Sequence, residues 1–304
     1  MGLCFCDMKV SVIINPKSGS SKRNQKWKLE FSDFLSRNSD LEYSILETES
    51  PGHATILAEE SARKGDKICF AVGGDGTMNE TATGLLGSNT ALGIIPSGSG
   101  NGFARHLKIP LDPLLAFDSL LNGRTEQLDY GTINQIPFFL AAGIGFEGVV
   151  AERFASRKRR GFLSYILAAA TEYRTWKPIE YTARYERETI TGKAFTIDFA
   201  NGSQYGNNAI IAPGASINDG LLQFVRVLPF PHHAAPEMFV KLMNGRINRT
   251  AYHIERAFSR LELSVEGRDA IAGHVDGEPI RFLLPLQVEI QRTGFLVRVP
   301  AGFS

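Results

Sequence analysis

At 304 residues the chain is long enough for two domains. Its 33 basic and 32 acidic residues leave a formal charge of +1, a balance that gives no support for broad nucleic-acid binding, which normally needs a strongly basic face. Three cysteines, Cys4, Cys6 and Cys69, make no disulfide framework, and no apolar run reaches transmembrane length.

Met1 to Cys6 lacks the Ser or Thr of a myristoylation signal, and it lacks the basic start and long apolar core of a secretory one. It reads as a short extension before a strand that begins near Lys9. Val10 to Ile14 is a short buried strand. Gln25 to Arg37 places Trp27, Phe31, Phe34 and Leu35 at helical spacing. Leu41 to Leu46 alternates as a strand, His53 to Arg63 reads as a helix, and Lys67 to Val72 is a strand with Cys69 as a small core residue. Thr81 to Leu86 reads as a helix and Ala91 to Ile95 as the next strand. This βαβα order predicts a mainly parallel sheet covered by helices over residues 1–128. Near Asp129 the character changes. Phe138 to Ala141, Thr196 to Phe199, Leu222 to Val225 and Leu261 to Val265 read as strands, with helices at Phe162 to Arg174 and Ala235 to Met243. Residues 129–304 therefore read as a β-rich, sandwich-like domain whose last segment can return to the first.

The Gly-rich segments sit at the carboxyl ends of the predicted strands, where open α/β sheets bind ligands. Gly73-Gly74-Asp75-Gly76-Thr77-Met78-Asn79-Glu80 joins a strand to a helix, so backbone amides can approach a bulky anion closely. Asp75 adds a carboxylate suited to a metal or a water. Asn15-Pro16-Lys17-Ser18-Gly19 offers hydroxyl and amide donors, and reads equally as an ordinary turn. Ser97 to Gly102, followed by Phe103, Ala104 and Arg105, reads as a phosphate or ribose contact through Ser99 or as a plain Gly-rich loop. Its glycine spacing differs from the dinucleotide fingerprint. Further along, Ser216-Ile217-Asn218-Asp219-Gly220-Leu221 reads as a turn that could also hold Mg²⁺. His274-Val275-Asp276-Gly277-Glu278 sets two carboxylates around a hairpin-type glycine, enough for a general base and a helper. The phosphate loop with a terminal Lys-Ser/Thr, the nucleophile elbow and the protein-kinase catalytic loop are all missing from the sequence. The six histidines show no zinc spacing.

In order, Asn15 to Gly19, Gly73 to Glu80, Gly98-Ser99-Gly100-Asn101 and Asp276-Gly277-Glu278 resemble the diacylglycerol kinase catalytic-domain family, which includes bacterial lipid kinases and sphingosine kinases. The resemblance runs from about Lys9 to near the C-terminus. It implies a nucleotide-binding α/β domain, a C-terminal β-sandwich, and an active site between them. It implies ATP contacts at Asn15, Pro16, Lys17, Ser18, Gly19, Thr48, Gly73 to Glu80 and Ser99. It implies a structural Mg²⁺ at Ser216, Asp219 and Leu221, with Glu278 as the base and Asp276 assisting. The implied reaction is phosphoryl transfer from ATP to a lipid hydroxyl, with diacylglycerol as first acceptor. A sphingoid base is the alternative, because Asn101-Gly102 stands where many diacylglycerol kinases have Asn-Asp. A soluble-substrate kinase related to NAD kinase ranks lower, since Asn79-Glu80 and Asp276-Gly277-Glu278 argue against it. The expected setting is cytoplasmic, with transient docking on a membrane surface. Arg157 to Arg160 beside an apolar helix offers one docking patch, against the plainer reading of a solvated charge run. Oligomeric state, including a homodimer, stays open.

Overall fold

The computed structural model describes residues 8–18, 41–155, 162–292 and 294–303. The helix expected at Gln25 to Arg37, Gly19 and the basic run Arg157 to Arg160 lie outside the described residues. The chain divides into two units. One comprises the described residues up to Leu128 together with 294–303, and the other is Asp129–Arg292.

Strands are numbered along the chain. The first unit contributes β1 (Lys9–Ile14), β2 (Glu42–Glu47), β3 (Ile68–Gly73), β4 (Ala91–Pro96), β5 (Arg124–Gln127) and, from the far end of the sequence, β18 (Leu296–Val299). They form one sheet in the order β2-β1-β3-β4-β18-β5, parallel at every pair except β18 with β5. β3 and β4 are buried along their whole length, as expected for parallel strands covered on both faces. Helices His53–Lys64, Asp75–Leu85, Gly102–His106 and Pro113–Leu121 accompany the sheet. The last of these starts with Pro113 at its first turn, and Asp112 accepts from the amides of Leu114 and Leu115. The chain leaves β1 toward β2 on one side and reaches β4 from β3 on the other. The crevice of such a sheet therefore opens at the carboxyl ends of β1 and β3.

Cys69 is the second residue of β3 and is fully buried. Burial pushes its thiol up to about 11, against the opposing hydrogen bonds of Ser11 and Ser61. With Cys4 and Cys6 changed to Ser, the native protein should resist alkylation at pH 8 and react once unfolded. Rapid native labelling followed by mass spectrometry would contradict the buried placement.

The second unit holds β6 (Tyr130–Ile133), β7 (Ile136–Phe138), β8 (Ala141–Gly145), β9 (Ile179–Tyr185), β10 (Glu188–Ala194), β11 (Thr196–Ala200), β12 (Leu222–Val227), β13 (His253–Phe258), β14 (Arg260–Val265), β15 (Ala270–Val275), β16 (Glu278–Leu283) and β17 (Leu286–Gln291). Two antiparallel sheets, β10-β9-β14-β17-β6-β7 and β13-β12-β11-β8-β15-β16, share one core in which Phe138, Phe199, Phe224, Phe258 and Phe282 are the largest fully buried side chains. Alternation fixes that core. In β9 the odd-numbered positions Ile179, Tyr181, Ala183 and Tyr185 are buried while Glu180 and Arg184 are exposed. The opposite face of the sheet containing β8 carries a second cluster of Ala141, Ala200, Val225 and Val227 with Met238 of helix Ala235–Met243.

Two expectations are corrected in detail. The strand expected at Phe138 to Ala141 is broken at Phe139 and Leu140, whose amides are bonded to the Asp276 carboxylate instead of a neighbouring strand. The helix expected from Thr81 begins at Asp75, so most of the Gly-rich motif is the first turns of a helix and only Gly73 and Gly74 form the bend.

Candidate functional site

In the first unit the loops after β1, β3 and β4 are locked to one another by long-range hydrogen bonds. The Asn15 amide donates to the Val72 carbonyl at 3.0 Å, and the Ser97 amide to the Gly73 carbonyl at 2.8 Å. Asn15 Nδ2 donates to Thr77 Oγ1 at 3.1 Å, while Asn15 Oδ1 accepts from the Lys17 amide at 2.9 Å. The Ser18 hydroxyl returns to the Asn15 carbonyl at 2.9 Å. Pro16 and Lys17 are exposed. Asn15 is thus the clasp between the first loop and the helix Asp75–Leu85.

Asp75 is a brace between two loops. Its carboxylate accepts from the Asn101 amide at 2.9 Å and the Gly102 amide at 2.7 Å. Asn101, in the left-handed region at φ 51°, closes its own loop through Gly98, accepting from its amide and donating to its carbonyl. Gly98 passes so close to Gly74 that a Cβ at 98 would stand 2.6 Å from the Gly74 Cα. These contacts fix the backbone around the start of helix Asp75–Leu85. The first-turn amides of a helix have no intrahelical acceptor, and the N-cap residue here, Gly74, brings no side chain to cap them. That end is a donor array with a favourable dipole for an anion such as a phosphate. Ser99, next to Gly98 in the loop after β4, is exposed, and Thr48, whose amide donates to the Ile14 carbonyl at 2.9 Å, follows β2.

The rest of the motif supports the array. Thr77 and Met78 are buried. Glu80 turns to the neighbouring helix: its Oε2 accepts from the Ala54 amide at 3.2 Å, and its carbonyl accepts from Thr55 Oγ1 at 2.9 Å. A carboxylate at the start of helix His53–Lys64 is the favourable arrangement for the helix dipole.

In the second unit Asp276 and Gly277 are the two central residues of the β15–β16 hairpin, at φ 46° and 88°. Positive φ at both positions is the geometry that Asp-Gly favours. The Asp276 carboxylate accepts from the amides of Phe139 (2.9 Å), Leu140 (2.8 Å) and Ala141 (3.0 Å), and its own amide donates to the Ala141 carbonyl at 2.8 Å. Asp276 is therefore held rigidly, while Glu278 opens β16 with an exposed side chain. Asp276→Asn should cost about 2 kcal/mol in urea unfolding, because charge-assisted bonds to three amides are weakened together. An unchanged midpoint and slope would show that the carboxylate does not brace this turn.

The third group is the loop before β12. Asp219 is exposed and its Oδ1 accepts from the Leu221 amide at 3.0 Å, while Ser216 Oγ is bonded to Asn218 Oδ1 at 2.8 Å. The nearly buried Asp129, a residue that sequence reasoning did not single out, accepts from the Gly220 amide at 2.7 Å. Burial raises the Asp129 pKa, the Gly220 amide opposes this, the Asp219 charge raises it further and Arg292 lowers it. Asp129 and Asp219 bring two carboxylates near one another at this loop, and Arg292 donates to the Gly220 carbonyl at 3.0 Å; oxygen ligands of this kind are what a hard divalent cation takes. Asp219 is the carboxylate among the three residues expected to hold Mg²⁺, and its Oδ1 is bonded to the Leu221 amide. A group of three or more His, Cys, Asp or Glu side chains able to hold a metal does not occur among the described residues.

Residues 9–133 match the model of the diacylglycerol kinase catalytic domain, and residues 141–296 match the YegS C-terminal NAD kinase beta sandwich-like domain. A "Probable lipid kinase YegS-like" of Klebsiella pneumoniae is 33% identical over 251 residues, covering 81% of this chain and 82% of that protein. The diacylglycerol kinase of Bacillus subtilis is 30% identical over 224 residues, covering 71% and 73%. A crystal structure of a diacylglycerol kinase from Bacillus anthracis superposes with a TM-score of 0.71 at 20% identity, covering 97% of this chain and 98% of that one, which speaks for the fold. The chain belongs to the diacylglycerol kinase catalytic-domain family, in its YegS-like form, and is by class a lipid kinase, a phosphotransferase. Among the described residues no helix is long and apolar enough to cross a membrane.

Proposed function

We propose that this protein transfers the γ-phosphate of ATP to the hydroxyl of diacylglycerol, giving phosphatidic acid. The observation that supports this reading is the glycine-built start of helix Asp75–Leu85, with Asn15 and Asp75 clamping the loops around it. ATP phosphates are assigned to the amides of Gly74 to Thr77 and to Asn15 through Ser18. Gly73, Met78, Asn79 and Glu80 shape that turn, and Thr48 and Ser99 serve the rest of the nucleotide. Gly19 belongs to the same assignment, though it lies outside the described residues.

Glu278 is assigned as the base that takes the proton of the lipid hydroxyl. Asp276 assists by fixing the turn that presents it. Mg²⁺ is assigned to the Asp219 carboxylate with the carbonyls of Ser216 and Leu221, where it supplies fixed positive charge. Phosphoryl transfer needs little covalent chemistry from the protein, so positioning and charge compensation are its main tasks. The protein works at a membrane surface from the cytoplasm in this reading. A sphingoid base is the second acceptor, favoured by Gly102 at the position after Asn101. Labelled γ-phosphate offered with diacylglycerol, sphingosine, monoacylglycerol and ceramide in mixed micelles separates the two. Label in diacylglycerol supports the first reading, and label confined to sphingosine replaces it with the second.

A further inference from the structure

Beneath the Glu278 turn lies a buried polar pair that the reaction as described does not use. Asp198 in β11 and His274 in β15 flank Gly143 of β8, opposite it in the strand register. His274 Nε2 and Asp198 Oδ1 are 3.3 Å apart, with side-chain exposures of 4% and 0%. The pair meets only because residue 143 is glycine: a Cβ there would lie 2.2 Å from Asp198 Oδ1 and 2.8 Å from His274 Nε2. Asp198 Oδ2 and His274 Nδ1 have no hydrogen-bond partner among the described residues, so each buried side chain relies on the other. The Tyr205 ring meets the imidazole nearly at right angles, with centroids 5.7 Å apart.

The same strands are tied again two residues on. Val275 pairs with Ala142, and Asp276 then grips the amides of Phe139, Leu140 and Ala141. The row Asp198–Gly143–His274 and the Asp276 clasp are successive tethers between β15 and β8, and Glu278 stands just beyond the second. We propose that Asp198 and His274 are a positioning pair for the turn that carries Glu278, acting through the Asp276 clasp. This rests on the reading of Glu278 as the base.

The charges around the imidazole agree with that role. Asp198 faces it from β11, Glu147 from the helix Phe146–Ala155 and Asp276 from the turn. Burial, the largest single influence, pulls the His274 pKa down; the Asp198 hydrogen bond and charge, then Glu147 and Asp276, outweigh it, and the net direction is up. A histidine with a raised folded pKa contributes stability that is fully present below its unfolded pKa. That contribution is lost as pH rises through the folded value. The tether should therefore loosen on the alkaline side.

The test compares wild type with Asp198→Asn and His274→Gln. Asp198→Asn keeps the shape of the side chain and guards against a His274→Gln that fails to fold. Amide exchange at Phe139 to Ala141 should quicken about tenfold or more in the variants, while amides of β3 stay unchanged. The kcat for the lipid acceptor should fall about tenfold with ATP affinity unaltered, and the alkaline limb of the kcat profile should move to lower pH in Asp198→Asn. In wild type, protection at those amides should fall as His274, followed by NMR, loses its proton. Unchanged exchange at Phe139 to Ala141 overturns the proposal. So does faster exchange with an unmoved kcat and pH profile, which would make the pair merely structural. If wild type phosphorylates no lipid, the reading of Glu278 fails on its own, and the exchange data alone accept or reject the hold of the pair on the turn.

Discussion

Glu278→Gln should remove most lipid phosphorylation, by about 10²–10⁴ in kcat, while ATP affinity stays near that of wild type. The amide matches the carboxylate in size but cannot take a proton. The side chain is exposed at the start of β16 and the turn is held by Asp276, so the substitution leaves the fold alone. A parallel fall in ATP affinity would mean that Glu278 serves the nucleotide. Full retained turnover would remove it as the base.

Gly98→Ala should instead strike the nucleotide. The added methyl would press on the Gly74 backbone, where no side chain can swing away. Overpacking of this kind costs about 1–3 kcal/mol, and relieving it means spreading the two loops that Asp75 braces. ATP affinity should fall about tenfold or more. Isothermal titration with a non-hydrolysable ATP analogue measures it, and an affinity equal to wild type would show that the spacing of these loops does not matter. The two substitutions thus divide the work: one spares the nucleotide and stops transfer, and the other weakens the nucleotide directly.

What the sequence revealed was local. An apolar strand running into glycines shows a strand-to-helix bend, and Asp276-Gly277 shows a hairpin turn, because both signals lie within a few residues. The change from α/β order to β-rich order near Asp129 showed the fold class. The bonds that make the bends rigid join residues far apart in the chain. Asp75 reaches Asn101 and Gly102, Asp276 reaches back to Phe139, and Glu80 serves a different helix. A carboxylate inside a Gly-rich motif reads as a metal or water ligand; only the fold shows it bonded to amides of a second loop. Asp129 was missed for a related reason. It is a lone carboxylate after an apolar Leu128, with no local pattern, and its meaning comes from Gly220 and Asp219. Gly143 gave no signal either, since the need for glycine arises from two side chains on neighbouring strands.

The most direct measurement follows one turnover on diacylglycerol in mixed micelles with Mg²⁺ and ATP labelled at the γ-position, counting ADP and phosphatidic acid together by mass spectrometry. The account predicts equal amounts of the two products in wild type, and neither above background in Glu278→Gln. ADP without phosphorylated lipid, or full product formation by Glu278→Gln, would contradict it.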